Sequence, residues 1–137
     1  MIIKNYMSSE CLTLKPNSTL AQARELMETR RVRQLPVVDA ENRLVGILSK
    51  RDIYAASVSV LSKNYEREKK LIESHISVEE IMTRDVRTVS PNDDLASAAL
   101  TLQEMRVGAL PVVEDGKLIG IISNTDFLGI AVMLLEK

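Results

Sequence analysis

One cysteine and one histidine in 137 residues leave little material for covalent or metal chemistry. Cys11 lies in the apolar stretch CLTL, so disulfide scaffolding and cysteine-rich zinc sites are excluded within one chain, and the role expected of it is that of a buried small hydrophobe. His75 has no second histidine or cysteine to share a metal with, and no metal site is expected. The formal net charge of -1 and pI near 5.9 provide no overall basic field, so attraction to DNA or to an anionic membrane is not expected. No segment approaches the roughly 18 consecutive apolar residues that span a bilayer, and the apolar run in MIIKNYMSSE is too short for a signal peptide, which points to a cytoplasmic protein. Neither a P-loop nor G-x-G-x-x-G occurs, and the neighbouring acids Asp93-Asp94, Glu79-Glu80 and Glu114-Asp115 fall in caps, connector and turn. No catalytic residue emerges, and an enzyme is the least supported class of function.

What the chain has is a repeat. Its length and 45% hydrophobic content allow one ordinary domain or two very small ones. Set against itself at an offset of 75, PNSTLAQARELMETRRVRQLPVV falls on PNDDLASAALTLQEMRVGALPVV, with Pro16 on Pro91, Leu20 on Leu95 and Pro36 on Pro111. The offset then drops to 74, because DAENRLVGILSKRDI has one more turn residue than EDGKLIGIISNTDF; Gly46 matches Gly120, Ser49 matches Ser123 and Asp52 matches Asp126. Upstream, Met7 matches Met82. Two copies are too few for a solenoid, so the units are expected to bury faces against each other.

Each unit reads as strand, helix, strand, strand, helix. A short strand, LTL or RTV, ends at Pro16 or Pro91, and Ser18 or Asp93 is expected to cap the helix that follows. Leu20, Ala23, Leu26 and Met27, and Leu95, Ala98, Leu102 and Met105, recur at steps of three and four, which predicts one buried helical face. Two apolar runs then form a hairpin, closed in the second copy by Asp115-Gly116, a pair suited to a type I′ turn. The runs do not alternate cleanly, which predicts cover on both faces. The expected boundaries are 1–62 and 77–137 for the repeats, with 63–76 as connector. The wider stretch SVSVLSKNYEREKKLIESHISVEEIM reads as partly helical and largely solvated.

Both hairpins run into a second helix through G-x-x-S-x-x-D. Serine and aspartate at this spacing suit a capping box, and spacing alone favours that role. The glycine three residues before each serine would admit a ligand or another backbone close to the strand. A helix N-terminus seats phosphate, and a nearby carboxylate accepts both hydroxyls of a ribose. The junction therefore either caps its helix or also holds a nucleotide. Lys50 and Arg51 lie inside the first motif, with Arg30, Arg31 and Arg33 upstream, whereas the second has Asn124 and Thr125 and only Arg106 upstream. Of these, Arg30 and Arg31 suit a solvated helix end equally well.

In this order the motifs MSSECLTLKPNSTLAQARELM, RVRQLPVVD and LVGILSKRDI, then MTRDVRTVSPNDDLASAALTL, RVGALPVVE and LIGIISNTDF, resemble a cystathionine-β-synthase (CBS) domain pair, or Bateman module, over essentially the whole chain. The long connector makes it similar to stand-alone pairs of the acetoin-utilisation AcuB type. The resemblance implies an α+β fold of tandem pseudo-twofold βαββα repeats packed through their sheets. Two clefts between them would take AMP, ADP, ATP or S-adenosylmethionine, as regulatory ligands and not as cofactors, and the pair would form a homodimer. Asp52 and Asp126 would bind ribose, with Ser49, Ser123, Arg51 and Thr125 near ribose or phosphate. Arg33 and Gln34, and their counterparts Gly108 and Ala109, would line the clefts; Lys15 and Ser90 would come from the opposite repeat. Gly108 and Ala109 lack the charge of Arg33, which departs from a phosphate-binding pattern. The implied function is a non-catalytic sensor whose ligand shifts the repeats' orientation for a partner protein to read; the alternative is a structural, dimerising protein with vestigial clefts.

Overall fold

The computed structural model describes residues 1–57, 69 and 71–137, apart from the side chain of residue 57. These fall into two compact units, one of Leu12–Val86 and one of Met1–Cys11 with Arg87–Lys137. The first contains α1 (Leu20–Arg30), β1 (Gln34–Val38), β2 (Leu44–Ser49), α2 (Lys50–Ser57) and the short α3 (Val78–Ile81). The second contains a 3-10 turn (Ile3–Asn5), α4 (Leu95–Met105), β3 (Ala109–Glu114), β4 (Lys117–Ser123) and α5 (Asn124–Leu135). Helices and two small antiparallel sheets make the mixed α+β fold that the repeats imply.

The helical stripes form the cores. Leu20, Ala23 and Met27 of α1 pack with Leu35, Val37, Leu48, Ile53 and Val78, and the equivalent Leu95, Ala98 and Leu102 of α4 pack with Leu110, Val112, Ile122 and Ile3. Burying each of these side chains larger than alanine contributes about 1.5–3 kcal/mol. Met105 departs from the expected stripe: it is 44% exposed, because α4 ends there and Arg106 turns into the left-handed region at φ 54. Arg31 ends α1 in the same way.

The caps sit one residue later than the sequence suggests. Thr19 accepts from the Gln22 N–H in a capping box, and Asp94 accepts from the Ser97 N–H. Ser18 and Asp93 instead accept the N–H of Lys15 and Ser90 and close the turn leading into each helix. The strands LTL and RTV reduce to single parallel bridges, Leu14 to Val37 and Val89 to Val112. Both hairpins carry a register shift, after Val37 and after Val112. The Asp115-Gly116 turn has φ of 54 and 79, the positive pair that type I′ requires. Cover on both faces holds for β1 and most of β3, while β2 and β4 mostly alternate.

Much of the stretch expected to be solvated lies outside the described residues, but its end is packed. Glu73 is 4% exposed and accepts from Arg24 on α1, with Nε at 2.9 Å and a terminal guanidinium nitrogen at 2.7 Å. A carboxylate this enclosed is tolerated because the guanidinium neutralises it.

Each unit is completed by a segment from outside its own hairpin region. In the first, Leu20 N–H donates to the Ile76 carbonyl and Val78 N–H to that of Ser18. In the second, Leu95 N–H donates to Met1 and Ile3 N–H to Asp93. Thr83 then exchanges two backbone hydrogen bonds with Ile47 on β2, each 2.9 Å, as Ser8 does with Ile121 on β4, each 3.0 Å. The glycines of the two motifs lie under these crossings. A Cβ on Gly46 would stand 2.6 Å from Met82 Sδ and 2.9 Å from the Thr83 carbonyl oxygen; one on Gly120 would stand 2.8 Å from both Met7 Sδ and the Ser8 oxygen. The open flank of each strand thus admits another stretch of the protein's own backbone.

Gly46→Ala and Gly120→Ala should each lower the free energy of unfolding by about 1–3 kcal/mol through overpacking, measured by urea titration. Gly129→Ala, in mid-α5 with nothing within 4 Å of the added methyl, should raise it by roughly 0.5–1 kcal/mol through helix propensity.

Candidate functional site at the helix entrances

The last residue of β2 and the first turn of α2 form one corner of the first unit. Gln34 is opposite Ser49 in the hairpin register, and the Lys50 N–H donates to the Arg33 carbonyl at 2.9 Å. Arg33, Gln34, Ser49, Arg51 and Asp52 are thereby brought together. The second unit repeats the corner: Ala109 is opposite Ser123, and Asn124 N–H donates to Gly108 at 3.0 Å, which gathers Gly108, Ala109, Ser123, Thr125 and Asp126. Lys15 and Ser90 are placed differently. Each follows the residue bridged to the middle of its own unit's hairpin, and the Lys15 ammonium donates to the Asp39 carbonyl beyond the end of β1, away from that unit's helix entrance.

Both serine-aspartate pairs close as capping boxes. The Ser49 N–H donates to Asp52 Oδ2 at 2.8 Å and the Asp52 N–H donates to Ser49 Oγ at 3.0 Å. In the second unit the Ser123 N–H donates to Asp126 Oδ2 at 2.9 Å, the hydroxyl donates to the same oxygen at 3.2 Å, and the Asp126 N–H donates to Ser123 Oγ at 3.4 Å. The capping role favoured by the spacing is therefore present in both copies. A carboxylate in a helix's first turn also faces the positive end of its macrodipole, which stabilises it further.

Capping does not exhaust the aspartates. A carboxylate has about four acceptor positions, and the box uses Oδ2. Among the described residues Asp52 Oδ1 receives only a long contact from the Thr83 hydroxyl, at 3.3 Å, so the segment crossing Gly46 reaches the same corner. The sequence reading did not single out Thr83; its only signal was its place one residue after Met82 in the matched repeat. At Ser8, its counterpart, no hydroxyl contact to Asp126 is formed. Each box holds its aspartate in one orientation and leaves Oδ1 able to accept from donors supplied by a ligand.

The electrostatics of the two corners differ. Arg33, Lys50 and Arg51 are exposed and make no ion pair with a described residue. The equivalent positions of the second unit carry Gly108, Asn124 and Thr125, all uncharged. Among the described residues no cluster of His, Cys, Asp and Glu could hold a metal ion, and no helix is long and apolar enough to cross a membrane.

The model of the CBS domain matches residues 3–59 and 78–132. The chain belongs to the CBS domain family. It is 35% identical to a Vibrio cholerae protein assigned to acetoin utilization (AcuB), covering 99% of this chain and 93% of that one with a TM-score of 0.83. It is 30% identical to CBSX2, solved in complex with AMP, with 97% of both chains covered and a TM-score of 0.81. The CBS domain pair of protein MJ0100, solved with 5′-methylthioadenosine and S-adenosylmethionine, is 25% identical, with 96% and 99% covered and a TM-score of 0.78. Among curated relatives, an uncharacterized protein of Methanocaldococcus jannaschii is 32% identical over 126 residues, 92% of this chain. The chain spans 41% of that relative's length and 23% of a homoserine O-acetyltransferase of Methanohalophilus mahii. The CBS pair identified from the motifs is thus borne out, AcuB-type similarity included.

Cys11 is half-buried, and burial pushes its thiol up from 9.0 to about 11. Its alkylation by iodoacetamide should be slow at neutral pH and climb about tenfold per pH unit until the pH nears that value, because only the thiolate reacts; mass spectrometry follows the adduct. Ser49→Ala and Ser123→Ala should each cost about 1 kcal/mol as lost caps, read from chemical unfolding.

Proposed function

We propose that the chain is a non-catalytic regulatory module that takes an adenosine-containing ligand, AMP, ADP, ATP or S-adenosylmethionine, at its helix entrances and reports occupancy to a partner protein. The observation that carries this reading is the pair of capping boxes, each holding an aspartate with one oxygen left for the hydroxyls of a ribose. The AMP complex of CBSX2 and the MJ0100 complexes support the ligand class. Ser49, Arg51 and Asp52, with Arg33 and Gln34, form one ligand-binding corner; Ser123, Thr125 and Asp126, with Gly108 and Ala109, form the other. A ligand moves the module only by binding one conformational state better than another, so the partner must distinguish those states.

A homodimer belongs to this proposal. Helix α5 buries none of its residues and exposes Leu128, Val132, Met133, Leu134 and Leu135, an apolar surface suited to a second copy. The same surface, with the satisfied capping boxes, favours the second reading, a structural dimerising protein whose serines and aspartates only cap helices.

Thermal unfolding separates the two. Ligand at about one hundred times its Kd should stabilise the fold by about 2.7 kcal/mol, and Asp52→Ala with Asp126→Ala should abolish that gain. If AMP, ATP and S-adenosylmethionine all leave the melting curve unmoved, and the substitutions cost only up to about 2 kcal/mol as lost caps, the structural reading stands instead.

A further inference from the structure

We infer that the two helix entrances divide ligands by charge: the Asp52 entrance takes adenosine compounds bearing phosphate, and the Asp126 entrance takes uncharged or cationic ones such as a thioether or sulfonium nucleoside. The inference rests on the binding role proposed above and adds the ligand class of each site. At the first entrance three cations, Arg33, Lys50 and Arg51, share the corner with one carboxylate, Asp52. All three are exposed, and no described residue neutralises them in an ion pair. Arg33 is fixed at the corner by its carbonyl, which accepts the N–H of Lys50. Lys50 and Arg51 open α2, where the helix end adds partial positive charge of its own.

At the second entrance the same backbone geometry carries no cation. Gly108 holds the position of Arg33 with the same carbonyl contact, to Asn124, and Asn124 and Thr125 open α5. Asp126 is then the one formal charge among the matched positions, and its second oxygen accepts no hydrogen bond from a described residue. Among the matched positions a phosphate placed there meets carboxylate repulsion offset by the helix end alone, whereas a sulfonium is attracted. The difference lies in residue identity alone, because the caps, hairpin registers and backbone contacts are shared.

Isothermal titration of the full chain with AMP, ATP, 5′-methylthioadenosine and S-adenosylmethionine tests this, at low and at high salt, on the wild type and on K50A/R51A. The expected result is phosphate-ligand affinity that falls with salt and drops roughly tenfold in the double variant, as the loss of two exposed charge contacts implies. Affinity for methylthioadenosine should be unchanged by either, and it should be lost in Asp126→Ala. Unchanged AMP and ATP affinity in K50A/R51A, or loss of AMP and ATP binding in Asp126→Ala alone, overturns the division by charge while leaving the binding role standing. No heat with any of the four compounds overturns both.

Discussion

The crossing of a short methionine-bearing segment over a glycine, once in each unit, is the constraint on which the rest of the structure depends. Two backbone hydrogen bonds join Thr83 to Ile47 and Ser8 to Ile121. Such pairing requires the two backbones to approach more closely than a side chain would allow, and Gly46 and Gly120 make room for it. The same segments bring Val78 and Ile3 fully into the two cores. They satisfy the edge of β2 and β4 and hold the strand that ends at each capping serine.

At that strand end, capping and ligand binding use different parts of one side chain. The box assigns Oδ2 of Asp52 to a backbone N–H and fixes the carboxylate's direction; Oδ1 stays at the surface of the corner. A group already ordered by the fold loses little further freedom when a ligand arrives, which is the general advantage of preorganisation. The structural role of the serine and aspartate is therefore the means by which an adenosine ligand would be gripped, and the two uses need not compete.

Features set by local chemistry were readable in the chain. The helical stripes, the Asp115-Gly116 turn and the serine-aspartate spacing depend on residues within a few positions of each other, and each appears where the pattern places it, apart from Met105 at the exposed end of α4. The caps shifted by one residue because Ser18 and Thr19, like Asp93 and Asp94, are adjacent residues that can each cap, and spacing does not choose between them. The glycines left two outcomes open, a ligand or another backbone, and only the fold shows that backbone fills the space. Long-range pairing left no signal. Glu73 belongs to a charged stretch and reads as solvated, yet its partner Arg24 lies 49 residues earlier. The match of Met7 with Met82 was visible, but not that each would dock over the glycine of the other copy's hairpin.

The claim at the centre of this account is that a capped aspartate still has an oxygen to offer a sugar. A crystal structure of the chain grown with AMP tests it most directly. The account predicts the ribose hydroxyls within hydrogen-bond distance of Asp52 Oδ1 while Oδ2 keeps the Ser49 N–H. AMP seated away from both helix entrances, or a sugar bound only after the carboxylate has left its cap, would contradict it.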